Sequence, residues 1–289
     1  MKEILEESKS YQDKIINGMS VAYSGTIGAF AHIASLKMFP SAKHISYSDF
    51  ESAYDACVNG ECDSVVLPIE NSASGDVGTV MDLIFNGSLY INKIIDLEIS
   101  QNLLSVKGAS LKDIKKVYSH PQALSQCAKF LKDHGIEAVE YSNTALAAKM
   151  VSEMNDKSVE AIASTDTASI FGLEVLVPNI NSSRNNSTRF AAFSRSMHKT
   201  NANHFILVFT VKNEAGALAQ ALNIIGINGF NMRNLRSRPL KGLKWTYYFY
   251  AEIEGNINSE EGKELLMQLK TITSSIKLVG TYEWYLFKR

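Results

Sequence analysis

The chain is 289 residues long, with 45% hydrophobic and 20% charged residues. That composition excludes disorder over most of the length, and the length predicts two domains, or at most three. Lys plus Arg number 29 against 30 Asp plus Glu, a net charge of -1, so no global field draws in a polyanion and nucleic acid is excluded as the main partner.

Apolar runs such as 205–211 fall far short of the ~18 residues that a bilayer span needs. The start Met1-Lys2-Glu3-Ile4-Leu5-Glu6-Glu7 is too acidic for a signal peptide. Cys57, Cys62 and Cys127 are an odd set in a long chain. They predict a reducing compartment, a soluble cytoplasmic protein without a membrane partner, and buried thiols acting as small hydrophobes. Neither the cysteines nor the scattered histidines have metal-ligand spacing, so no metal site is expected.

Residues 1–18 read as a polar helix with Ile4, Leu5, Tyr11, Ile15 and Ile16 on a common side. A short strand over 20–23 leads through Gly25-Thr26-Ile27-Gly28 into a helix that ends before Pro40. After a strand at 44–47, Ser48-Asp49-Phe50-Glu51 fits a capping box and opens a helix closed by Asn59-Gly60. The apolar run 64–69 predicts a strand covered on both faces, and a further helix runs to Asn86-Gly87. Residues 89–105 alternate like long strands. A strand at 117–119 feeds a helix through Phe130 to Gly135, and a strand at 137–141 precedes a helix over 144–154 capped by Asn143. A strand at 161–163, a helix ending at Gly172 and a strand at 175–177 follow. The rhythm is α/β with more strands than one small sheet holds, which predicts two lobes with a cleft.

The pattern changes near residue 195. Residues 194–203 are polar and basic, a linker by composition. Beyond lie a strand at 204–211, a helix at 216–227, strands at 232–237 and 244–253, a helix at 259–273 and a strand at 276–287. This βαββαβ order is ferredoxin-like.

Four polar segments sit at element ends. They are Leu67-Pro68-Ile69-Glu70-Asn71-Ser72, Tyr118-Ser119-His120-Pro121-Gln122-Ala123-Leu124-Ser125-Gln126-Cys127, Asn185-Asn186-Ser187-Thr188-Arg189-Phe190, and Gly25-Thr26-Ile27-Gly28-Ala29. The first lies at the carboxyl end of a strand, where open α/β sheets bind ligands. The last enters a helix amino end suited to an anion, but its two glycines are too few for a dinucleotide fingerprint. Ser119 and His120 are neighbours on a strand and point to opposite faces, so they cannot pair with each other as nucleophile and base.

Taken in order, these segments resemble the prephenate dehydratase family, over about residues 19–289. The βαββαβ unit, with Gly216-Ala217-Leu218-Ala219 and Arg236-Ser237-Arg238-Pro239, is similar to the regulatory ACT domain that follows the catalytic domain in that family. The resemblance implies a two-lobed catalytic domain like periplasmic binding proteins at 19–195 and an ACT domain at 203–289, which leaves the polar helix read over 1–18 as an N-terminal extension. It implies no preceding chorismate mutase domain, because 18 residues cannot supply one.

The implied activity is conversion of prephenate to phenylpyruvate with loss of carbon dioxide and water, in phenylalanine biosynthesis and without a cofactor. Thr188 is the implied main catalytic residue, with Ser119, Gln126, Glu70 and Asn71 as further polar positions. Glu70 could serve as an acid only if burial raised its pKa. Arg189 suits a carboxylate clamp, and Gly25, Thr26, Gly28 and Phe190 complete the expected substrate contacts. L-Phenylalanine is the implied effector, at Asn213, Gly216, Ala217, Leu218 and Asn231 between two copies in a homodimer or homotetramer. The family segment usually begins with Glu where this chain has Arg236, and an acidic residue often stands where it has Asn143. Arogenate dehydration and a non-catalytic two-lobed solute-binding module are the alternatives.

Overall fold

The computed structural model describes residues 18–182, 186–197, 202–240, 242 and 246–283. Residues 1–17 of the helix expected over 1–18, residues 198–201 of the linker, Asn185, and residues 244–245 and 284–287 of the strands expected at 244–253 and 276–287 therefore lie outside the described residues.

In chain order the elements are β1 (Ser20–Ser24), α1 (Phe30–Met38), β2 (Lys43–Tyr47), α2 (Phe50–Val58), β3 (Ser64–Asn71), β4 (Gly75–Asp76) and α3 (Gly78–Asn86). Next come β5 (Tyr90–Glu98), β6 (Asn102–Ser105), β7 (Lys116–Ser119), α4 (Pro121–Gln126), α5 (Ala128–His134), β8 (Glu137–Glu140) and α6 (Thr144–Met154). Then follow β9 (Val159–Ala163), α7 (Thr165–Phe171), β10 (Glu174–Val177) and β11 (Ser187–Ser194). The last are β12 (His204–Thr210), α8 (Ala217–Ile227), β13 (Asn231–Pro239), β14 (Tyr247–Glu254), α9 (Glu260–Ile272) and β15 (Ser275–Tyr282).

Two local expectations are corrected. Asp49, not Ser48, caps α2: its carboxylate accepts from the Ser52 N–H at 2.7 Å, while the Ser48 hydroxyl donates to that same carboxylate. The helix expected through Phe130 is broken at Cys127, whose φ of -104° and ψ of 5° separate α4 from α5. Asn143 caps α6 as its sequence predicts, accepting from Leu146 N–H at 2.7 Å. All three cysteines are buried, and burial pushes the Cys127 thiol up to about 12.

The chain divides into two compact units, Met1–Val77 with Ile95–Phe190, and Gly78–Ile94 with Ala191–Arg289. The first unit holds two sheets, one to each lobe. In one, β1 pairs in parallel with β2 and β3, and β11 lies beside β3. The other runs β10-β6-β9-β7-β8, with β7 parallel to β8 and β9. Parallel strands joined through helices need apolar residues on both faces; Val65, Val66 and Leu67 of β3 are accordingly fully buried. The second sheet has a core on each face, one around Leu103, Val117 and Ile162 and one around Leu104, Ala161 and Ala163.

In the second unit the order β13-β14-β12-β15 with two helices gives the ferredoxin-like arrangement expected from βαββαβ. Phe205, Leu207, Phe209, Ala251 and Ile253 pack one sheet face against Ala221 and Ile225 of α8 and Leu265 and Leu269 of α9. On α3, Phe85 stacks on Tyr248 at 4.4 Å and the Ile84 carbonyl accepts from Lys277 Nζ at 3.0 Å. β5 joins β15 where Gly280 meets Ile91. A Cβ at Gly280 would lie 2.0 Å from the Ile91 carbonyl oxygen, so only glycine fits.

Candidate active site

Strands β1, β3, β7 and β8 each end at one pocket within the first unit. Its volume is about 270 Å³. Ala29 and Phe30 follow β1, Asn71 ends β3, His120, Gln122, Ala123 and Gln126 follow β7, and Asn143 and Thr144 follow β8. Ile99, Gln101, Asn186 and Thr188 complete the wall. This is the carboxyl-end geometry of ligand sites in open α/β sheets, used here by both lobes.

The centre of the wall is an oriented hydroxyl. Asn71 Nδ2 donates to Thr188 Oγ1 at 2.9 Å, to Asn186 Oδ1 at 2.9 Å and to the Ser187 carbonyl at 3.2 Å. Asn71 Oδ1 accepts from the N–H groups of Ala73 at 2.9 Å and Ser74 at 3.0 Å, which fixes the amide so that its NH2 faces Thr188. Because Thr188 Oγ1 accepts, its own O–H is left to donate. Thr188 is 9% exposed, deep enough for a hydrogen bond to gain strength in the low dielectric.

Alternation along the strands decides which expected residues reach this wall. Thr188 and Arg189 are neighbours on β11, and Asn71 and Glu70 neighbours on β3, so each pair splits between opposite faces. Asn71 and Thr188 meet at the pocket. Arg189 instead pairs with Glu70 at 3.7 Å and donates to Asp96 at 3.1 Å. Neither Glu70 nor Arg189 is on the wall. Ser119 is fully buried, donates to the Ile162 carbonyl at 2.7 Å and also lies behind the wall. Gln126 is on the wall and accepts from Gln101 Nε2 at 3.4 Å.

Phe190 is a core residue, 2% exposed. Gly25 donates its N–H to the Tyr47 carbonyl at 2.9 Å, and Thr26 Oγ1 is buried. Gly28, at φ of 84°, donates to His32 Nδ1 at 3.1 Å and accepts from Thr167 Oγ1 of α7 at 2.9 Å. These three glycine-loop residues hold the entry to α1, while the next two, Ala29 and Phe30, form the wall. Burial and the neighbouring His44 both lower the His32 pKa, keeping the ring neutral so that Nδ1 can accept.

In the second unit Gly216 caps α8 at φ of 84°, with Ala217 and Leu218 in the first turn and Asn213 exposed before it. Asn231 Nδ2 donates to Glu254 at 2.8 Å. Arg236 donates to Asn234 Oδ1 at 3.2 Å and lies 5.9 Å over the Tyr250 ring.

Sequence reasoning missed Gln101, His120, Gln122, Asn143, Thr144 and Asn186 as wall residues. Asn143 and His120 read as caps and corners, and capping residues at strand ends are the signal that pointed to them. Gln101 carried no signal, since a lone Gln before a strand has no distinctive spacing.

Two sheets whose strand ends enclose a polar pocket with an oriented hydroxyl define a two-lobed α/β enzyme of the periplasmic-binding-protein-like type. The family model described as "Prephenate dehydratase" matches residues 21–198. A bifunctional chorismate mutase/prephenate dehydratase of Buchnera aphidicola is 33% identical, over 96% of this chain and 77% of its own length. An arogenate dehydratase/prephenate dehydratase of Arabidopsis thaliana is 32% identical, over 91% and 71%. The chain belongs to the prephenate dehydratase family. Among solved structures, prephenate dehydratase from Arthrobacter aurescens in complex with L-Phe superposes with a TM-score of 0.80 at 27% identity, over 92% of this chain and 90% of that one. GqqA, described as a novel type of quorum quenching acylase, gives a TM-score of 0.83 at 28% identity, over 93% of this chain and all of that one.

Proposed function

We propose that the chain converts prephenate to phenylpyruvate in this pocket, with Thr188 as the donor to the departing hydroxyl. The observation that carries the reading is the Asn71–Thr188 hydrogen bond, which leaves the threonine O–H to be given to a ligand. Loss of carbon dioxide and hydroxide makes the ring aromatic, so the driving force lies in the substrate. The protein has to hold a dianion and stabilise the oxygen as its C–O bond breaks.

No Lys or Arg is among the described wall residues. The dianion is met instead by the amino ends of α1, at Ala29 and Phe30, and of α6, at Asn143 and Thr144, and by the amides of Asn71, Gln101, Gln126 and Asn186. First-turn N–H groups lack intrahelical partners and carry the positive end of the helix dipole. Arg189 and Glu70 then serve as supports, locking β3 against β11 behind the catalytic pair. Ser119 and Gly28 support β7 and the entry to α1 in the same way.

Because one fold serves different reactions, the test is chemical. Purified protein should release phenylpyruvate from prephenate, and Thr188→Ala should lower kcat by roughly 10²–10³ with little change in KM. Binding of prephenate without turnover would support the solute-binding reading. Arogenate carries an ammonium group in place of the keto oxygen, and a higher kcat/KM for it would reassign the substrate.

The βαββαβ unit is proposed as a phenylalanine-responsive ACT domain. The Arthrobacter relative bound to L-Phe supports this, as does Gly216 leading into the amino end of α8, which suits an amino-acid carboxylate. Asn213 would take the ammonium group and a second copy would close the site; Asn231, which pairs with Glu254 at the other end of the sheet, would reach such a site only from that second copy. A cytoplasmic homo-oligomer is the expected form, in keeping with the buried thiols; among the described residues no helix is long and apolar enough to cross a membrane. Calorimetry with phenylalanine and activity titrations on the full chain test this; no heat and unchanged rates would overturn it.

A further inference from the structure

His120 occupies an unusual position for a helix cap. It follows β7, lines the pocket with Thr188, Asn71 and Gln126, and is exposed to it. Its Nδ1 accepts from the Gln122 N–H at 3.2 Å. An acceptor nitrogen carries no proton, so that bond fixes the neutral tautomer with the proton on Nε2. Nε2 makes no hydrogen bond to any described residue. His120 is also the one imidazole among the described wall residues.

Two roles compete for such an imidazole. As an imidazolium it could hand a proton to a leaving oxygen. That form sets an Nδ1–H against the Gln122 N–H, donor against donor, and costs α4 its cap. As a neutral ring it cannot give up its proton, but it can hold an anion with a fixed N–H. The wall carries no described Lys or Arg, so an anionic ligand there depends on such neutral donors.

We propose that His120 is a substrate-binding residue whose neutral Nε2–H donates to a carboxylate of the bound dicarboxylate, an assignment that rests on the pocket being the prephenate site. The ring is held by its own helix cap, so the donor needs no reorganisation when the anion arrives. No proton is transferred in this role. The leaving hydroxyl is served by Thr188, on the opposite lobe.

Two isosteric replacements separate binding from capping. His120→Asn keeps an oxygen near the Nδ1 position, able to cap Gln122 N–H, and loses the Nε2 donor. His120→Gln places an amide N–H near Nε2 and loses the cap acceptor. In the full-length chain, His120→Asn should keep the wild-type melting temperature and raise KM for prephenate about 10–100-fold, the usual loss for a hydrogen bond to a charged group. His120→Gln should stay within about tenfold of wild type in KM while melting lower. Wild-type kcat/KM should stay flat over roughly pH 7 to 9, because the working ring is neutral.

A native KM in His120→Asn, beside an impaired Thr188→Ala, would overturn the assignment and leave the pocket reading standing. Native kinetics in both variants would show that the pocket is not the prephenate site, and the assignment would fall with it. A tenfold fall in wild-type kcat/KM per pH unit on the alkaline side, absent in His120→Asn, would show an imidazolium at work and overturn the neutral donor.

Discussion

Replacing Glu160 with Gln should change the pH dependence of stability without touching the site. Glu160 lies on β9, opposite Val117 of β7, in the second sheet of the first unit. It is fully buried, and neither carboxylate oxygen hydrogen-bonds to a described residue. Burial is the main reason that its pKa is pushed up to about 8 from 4.5, with the negative charges of Asp156 and Asp113 adding to it. The unfolded chain gives up this proton near the ordinary glutamate value, while the folded chain keeps it to about pH 8. Between those limits the folded state binds the extra proton, so stability is greatest below the unfolded pKa and is lost as pH rises toward the folded one.

The slope is about 1.4 kcal/mol per pH unit, which amounts to about 3 kcal/mol between pH 4.5 and 7 and up to about 5 kcal/mol by pH 8. Glutamine has the same shape and does not titrate. Its amide is as unpartnered there as the protonated carboxyl that it replaces, so Glu160→Gln should match the wild type at acid pH and be the more stable protein at pH 8. Urea denaturation of both proteins in parallel from pH 4.5 to 8 reads the difference directly. Two curves separated by a constant amount across that range would refute the argument, since they would show that the carboxyl ionises alike in both states.

Glu70→Gln should reduce kcat less than about tenfold and leave the shape of the pH–rate profile unchanged, because the carboxylate faces Arg189 behind the wall; abolished activity would make Glu70 the proton donor. Asn71→Leu should cost kcat about as much as Thr188→Ala, roughly 10²–10³, and combining the two should add little, because the amide acts by orienting that hydroxyl. Additive losses would separate their roles. Gly28→Ala should destabilise the protein by about 1–3 kcal/mol, since φ is 84° and a Cβ would sit 2.9 Å from Phe171 Cε2; thermal melting within a degree of wild type would refute the contact.

Periodicity and caps were enough to read most elements. The alternating βα rhythm, the apolar β3 run and Asn143 before α6 are local signals, each set by a few neighbouring residues. The βαββαβ order was legible for the same reason. At Asp49 and Cys127 the local signal was ambiguous: two adjacent cap residues compete before α2, and a single non-helical residue interrupts an otherwise continuous helical pattern.

The site was legible as a set of segments but not as a surface. Sequence placed Asn71, Thr188, Ser119, Arg189, Glu70 and Gln126 together because all belong to three of the four polar segments. Which of them face a ligand depends on the strand each sits on, on side-chain alternation and on what the neighbouring strand presents. β3 beside β11 sends Asn71 and Thr188 to the pocket and turns Glu70 and Arg189 away, and Ser119 bonds across to β9. Those outcomes require contacts between residues separated by 43 to 117 positions along the chain. Gln101 and the buried, unpaired Glu160 belong to the same class: nothing in their flanking sequence marks them, and only the packing of the second sheet makes one a wall residue and the other a buried acid.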